Sequence, residues 1–155
     1  MIKYIHPVAG ALAILTITTF WFSTALSELF GSPATITAVK TAIPSGFLVL
    51  IPALAAAGGT GFALSKGRRV GLIGAKMKRM QLIAANGLLV LIPSALFLSA
   101  EARAGQFNTA FYLVQVVELV AGATNVALLA LNMRDGLKMK GRFRRRPAAS
   151  AIKAG

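Results

Sequence analysis

Four apolar stretches, each closed by charged or turn-forming residues, dominate the pattern of this chain: about 7–26, 41–64, 81–100 and 108–131. Each offers the roughly 20 residues that a helix needs to cross a hydrocarbon core about 30 Å thick. In lipid, a spanning segment must satisfy its backbone N–H and C=O groups internally, so these runs are predicted to be helices even where β-branched residues gather, as at Ile14 and Thr16–Thr19. The connections are short and carry turn residues: Gly31-Ser32-Pro33, Lys66-Gly67-Arg68-Arg69, and Glu101 to Gly105. Consecutive helices are therefore expected to be antiparallel neighbours. The pattern predicts an all-α fold, a four-helix transmembrane bundle at 1–134 followed by a basic tail at 135–155. Pro52 and Pro93 are expected to kink the second and third helices, and Gly61, at four-residue spacing from Ala53 and Ala57, to allow close helix packing.

Charge gives the bundle a direction. Of the 17 Lys and Arg residues, all except Lys40 and Arg103 fall near the termini or in the second connection. That bias predicts both termini in the cytoplasm of a bacterial inner membrane, as an even number of spans requires. The first apolar run is too long for the core of a typical signal peptide, so it is read as a span. The tail, with Arg142 and Arg144–Arg146, is expected to meet anionic lipid headgroups, Leu137, Met139 and Phe143 dipping to the interface. With Phe143 nearly its only aromatic, it has no stacking platform for nucleic acid.

Composition removes whole classes of chemistry. With no cysteine, the chain has no disulfide, thiolate metal site, iron–sulfur cluster or covalently attached haem, and one histidine cannot build a multi-histidine metal site. No hydrolytic triad or phosphate-binding loop is present either, so no catalytic residue and no metal ligand set is assigned.

Polar residues inside the spans carry what chemistry remains. Glu118 is the only acid within a predicted span, and an intramembrane carboxylate is by default a functional hypothesis. Gln115, Glu118, Gly122, Asn125 and Asn132 share a stripe about 100° wide on the fourth helix, which must face protein, while Phe111, Val116, Val120 and Leu128 take the rest. The stripe is either interhelical glue or a proton- or ion-handling site built on Glu118, Gln115 and Asn125. The first helix is read with a matching stripe, Ala9, Thr16, Thr19, Ser23 and Ser27, and with Trp21 and Phe22 toward lipid or the outer interface. His6, just before Pro7, either caps that turn or ligates haem b, with Met80 or Met133 at the same membrane edge, or a second protomer, as the other ligand. Finally, Gly46-Phe47-Leu48-Val49-Leu50-Ile51-Pro52 and Gly87-Leu88-Leu89-Val90-Leu91-Ile92-Pro93 agree at six of seven positions. On antiparallel helices this would be an inverted repeat with breaks at similar depth, an arrangement that frames transporter binding sites.

Several longer patterns resemble a group of small membrane proteins of alphaproteobacteria: His6-Pro7-x-Ala9-Gly10, Phe20-Trp21-x-Ser23-Thr24-x-x-x-Glu28-Leu29-Phe30, Ile83-Ala84-Ala85-Asn86-Gly87, the run Glu118–Asn125, and Asn132-Met133-Arg134-Asp135-Gly136. The resemblance covers about Tyr4 to Arg146 and implies a location, not a mechanism. More distantly, four helices with a histidine near the start are similar in layout to membrane b-type cytochromes, although those bundles usually bring several histidines.

The expectation is thus an inner-membrane binding or accessory subunit, not a stand-alone enzyme, most concretely a haem- or electron-transfer-associated component using His6. The competing expectations are a small proton-coupled transporter or channel centred on Glu118, and an inert subunit of a homo-oligomer or larger membrane complex.

Overall fold

The computed structural model describes residues 2–65 and 71–143; the basic connection at 66–70 and the tail from Arg144 onward lie outside the described residues, as do the side chains of 2–3 and 139–143. The described residues are all helical apart from two turns: α1 Ile2–Phe30, α2 Pro33–Ser65, α3 Gly71–Asn86, a π-helical segment Gly87–Leu91, α4 Ile92–Arg103, and α5 Thr109–Phe143. Because α3, the π-segment and α4 form one rod, four helices are long and apolar enough to cross a membrane.

Every helix outruns its apolar core. At 33 residues α2 is about 50 Å long, well beyond a bilayer's hydrocarbon. Its start is set by a local signal: Ser32 caps the first turn, accepting from Thr35 N at 3.3 Å, and Pro33 stands where its missing N–H costs nothing. The α1–α2 reversal takes only Gly31 and Ser32. Gly31 N donates to Ser27 O, and a Cβ at Gly31 would collide with that same carbonyl, so the reversal requires glycine. Between α4 and α5, Gly105 adopts φ +69° and Asn108 caps α5 by accepting from Phe111 N at 3.0 Å.

The rods close a ring in which α1 contacts α2 and α5, while α4 bridges α2 and α5. One apolar cluster joins Ala13, Ile17, Leu50, Ala53, Ile83 and Leu129; a second, toward the α4–α5 turn, joins Ile36, Leu98, Ala102 and Phe111. Outward positions are as apolar as inward ones: Tyr4, Phe30, Leu48, Leu89 and Val120 are all exposed, as expected where the outer solvent is hydrocarbon.

Two details of the expected packing change. The buried face of α1 is Ala9, Ala13, Ile17, Thr24 and Ser27, and Thr16 and Thr19 lie off it; the Thr16 hydroxyl donates back to Leu12 O instead of to a neighbour. Phe111, expected on the lipid-facing arc of α5, is fully buried in the second cluster against Phe107.

Candidate functional site

The α5 stripe faces the bundle along its whole length: Gln115, Glu118, Gly122, Asn125 and Asn132 are all buried. Each finds a different environment. Moving from the α4–α5 turn toward the C-terminus, the stripe meets an ion pair, an amide network and a second ion pair.

The first pair was hidden from sequence reasoning. Lys40 does not sit outside the second span; it is one of the inward residues of α2, in phase with Ile36, Ile43, Leu50, Ala53 and Ala57, and it is 1% exposed. Its Nζ donates to Glu118 Oε2 at 2.5 Å. Gln115, one turn earlier on α5, donates to the same oxygen through Nε2 at 3.3 Å. Lys40 lies about 10 Å along the axis from Pro33, and Glu118 about 14 Å from Thr109, so the pair is well inside both helices. A third charge belongs to the cluster: Glu28, near the end of α1, interacts electrostatically with both Lys40 and Glu118, and its Oε1 is buried without a hydrogen-bond partner. The fully ionised group of Glu28, Lys40 and Glu118 therefore carries one excess negative charge in a poorly solvated place. Gln115 Oε1 is likewise buried and unpartnered.

Beside this cluster lies a cavity of about 50 Å³ between α1, α2, α4 and α5. Its wall is largely aromatic and aliphatic, with Phe20, Trp21, Phe47 and Leu91, and only Thr24 and Glu118 bring polar side chains to it. Trp21 does not face outward as expected. It lines this cavity, anchored by its Nε1 donating to Leu119 O at 2.9 Å and lying against Gly122, where a Cβ would meet the indole at 2.9 Å.

At mid-bundle Asn125 pairs with Asn86, a residue that sequence reasoning left unassigned: Asn86 Nδ2 donates to Asn125 Oδ1 and to Ala121 O, both at 2.9 Å, and Asn125 Nδ2 donates to Ile83 O at 3.3 Å. The π-segment starts at the next residue. Its wide turn is marked by Ile92 N donating to Gly87 O, five residues back, immediately before Pro93, which has no N–H to give. Asn125 is thus tied to helix geometry, and among the described residues no hydrogen bond joins it to Glu118.

Farther along, Arg79 Nη1 donates to Asp135 Oδ2 at 2.6 Å and reaches Asn132 Oδ1 at 3.5 Å; Arg134 adds a longer contact to Asp135 at 3.5 Å. Helix α5 continues past 131, and Asp135 is 2% exposed.

The three residues expected around haem are split. His6 Nδ1 lies 3.1 Å from both Ala57 O and Thr60 Oγ1, with its ring against Gly61; Met80 reaches the same stretch of α2 at Gly58 from α3. Met133 is half exposed on α5. Pro52 lies within an unbroken α2, and Gly61 serves the contact with His6. Among the described residues, no three of His, Asp and Glu are grouped as a metal site.

A signal for Lys40 was present: a cap at Ser32 with Pro33 behind it starts the helix at 33, and an inward stripe counted from there passes through Lys40. Set against protein-family models, curated proteins and solved structures, the chain matches none, and the reading of its site rests on this geometry.

Proposed function

We propose that this protein is a small proton-coupled carrier of a bacterial inner membrane, with both termini cytoplasmic and Glu118 as the titrating group. The observation that carries the reading is the buried Lys40–Glu118 pair with Glu28 beside it, opening on a cavity inside the bundle. A buried ammonium and carboxylate in hydrocarbon are expensive to keep ionised, and such groups mark ion and proton pathways. The excess acid, Glu28, gives Lys40 a second carboxylate when Glu118 takes a proton. Gln115, donating to Glu118, orients it. The distribution of Lys and Arg supports the orientation. The prolines of α2 and the π-turn before Pro93 supply the places where the helices bend as the pair opens and closes.

Reconstitution in liposomes with a pH-sensitive dye inside tests it. Wild type dissipates an imposed pH gradient, and Glu118→Gln lowers that flux at least about tenfold, the scale expected for removing the group that carries the proton. Flux equal in both would make the pair a structural tie between α2 and α5. The haem-associated reading has no comparable cluster behind it, since Met133 is half exposed while His6 and Met80 pack on α2. A Soret band in the purified protein that disappears in His6→Ala would restore it.

A further inference from the structure

We infer that the cavity beside Glu118 binds the ammonium group of an amine with an apolar body, which makes an organic monocation the cargo exchanged for the proton. The inference rests on the carrier reading and names its substrate class.

Three observations converge on it. The first is an oxygen left over. Both hydrogen bonds to the Glu118 carboxylate, from Lys40 and Gln115, go to Oε2, and Oε1 accepts none from the described residues. The Glu118 side chain is 11% exposed and lines the cavity, so the oxygen available to an incoming donor belongs to a largely buried carboxylate at the cavity wall.

The second is charge. With Glu28 and Glu118 both ionised, two carboxylates face the one ammonium of Lys40, and the cluster is short of one positive charge. A neutral donor such as water satisfies the hydrogen bond and leaves the deficit; a proton or a cation removes it. Proton and ammonium therefore compete for one carboxylate, which is the linkage an exchanger needs. The chain itself shows that this carboxylate accepts an ammonium, because the Lys40 Nζ occupies its other oxygen.

The third is the wall. Phe20, Trp21 and Phe47 surround a space of about 50 Å³, enough for an ammonium head, since a water needs about 10–15 Å³ on that measure. Aromatic faces stabilise a desolvated cation and give nothing comparable to an anion. A metal ion would meet few oxygens here, because Thr24 is the only other polar side chain of the lining. Trp21 and Leu119 at the cavity are only partly buried, which lets the body of the amine extend toward the lipid.

Trp21 is the chain's one tryptophan, so fluorescence excited beyond the tyrosine absorption band reports on this site. The experiment titrates phenethylammonium, and separately its neutral counterpart 2-phenylethanol, into the detergent-solubilised full chain. The expected result is a saturable change with the cation at concentrations where the alcohol gives none, weakened at least about tenfold in the Lys40→Met/Glu118→Gln double variant. Equal responses to cation and alcohol, or a double variant that binds as wild type does, overturn the inference. Should the double variant not fold, Phe47→Leu keeps every charge: an affinity loss of about threefold or more for the cation alone supports the site, and an equal loss for both ligands overturns it. Glu118-dependent proton flux without a cation-specific response removes the cargo and leaves the carrier; a cation-specific response with Glu118-independent flux does the reverse.

Discussion

Among the described residues two ion pairs tie α5 to the rest of the bundle, one toward each end, and they differ in what surrounds them. Lys40–Glu118 is enclosed, with side chains 1% and 11% exposed, and has acid in excess through Glu28. Arg79–Asp135 has base in excess, with Arg134 on the same carboxylate and Lys76 close enough to interact electrostatically, and Arg79 remains 23% exposed. A long guanidinium near a helix end can snorkel to the interface and stay hydrated. An ammonium buried at Lys40 has no such exit and faces Glu118 and Glu28 instead of water. The second pair fits a tie between α3 and α5; the first stands beside a cavity with a second carboxylate near it, and the carrier proposal rests on that difference.

That contrast can be broken by substitution. The largest effect is expected for Lys40→Met, which leaves the buried Glu118 carboxylate without its ammonium and beside the half-buried Glu28: about 3–5 kcal/mol of stability lost, measured by denaturant titration in micelles. Lys40→Met/Glu118→Leu removes both charges and is expected to recover most of that loss, because the burden is the unpaired charge and not the missing bond. A double variant as unstable as the single would place the pair among ordinary packing contacts. Arg79→Gln is expected to cost less, about 1 kcal/mol, since Arg79 is partly hydrated and Arg134 stays on Asp135. Smallest of all is the effect of salt: raising ionic strength to about 1 M shortens screening to roughly 3 Å and should shrink the Arg79→Gln difference by a few tenths of a kcal/mol, leaving that of Lys40→Met unchanged. Equal salt sensitivity would erase the distinction between the two sites.

The twin heptapeptides show where sequence stops. Gly46–Pro52 and Gly87–Pro93 differ only at Phe47 and Leu88, yet the first is regular α-helix and the second opens a π-turn. Proline is common to both, so it cannot decide. Context does: Gly46 is covered by the Phe20 ring, which leaves no room for a Cβ and holds α2 tightly on α1, whereas Gly87 follows Asn86, whose amide is fixed by Asn125 and Ala121 on α5. In the same way the stripe Gln115–Asn132 was legible on α5 because period 3.6 puts those residues on one face. The partners Glu28, Asn86, Arg79 and Asp135 were not, and for Lys40 only the inward face was legible and not the partner, since each pairing is set by how separate helices meet. Trp21 was misjudged for a related reason. Aromatic belts are an average property of membrane helices, and a glycine on the opposite helix, Gly122, was enough to draw this indole inward.

From its residues alone, the chain determines four membrane-length helices, their tight reversals at Gly31-Ser32 and Gly105, and an α5 whose polar face must turn inward, because hydrogen bonding in hydrocarbon and the helical repeat are local matters. Which charges meet was decided only when the four rods closed into a ring. Pairing depends on the rotation and depth of one helix against another, and those follow from the packing of Ala13, Gly46, Phe20 and Gly122, not from the charges themselves.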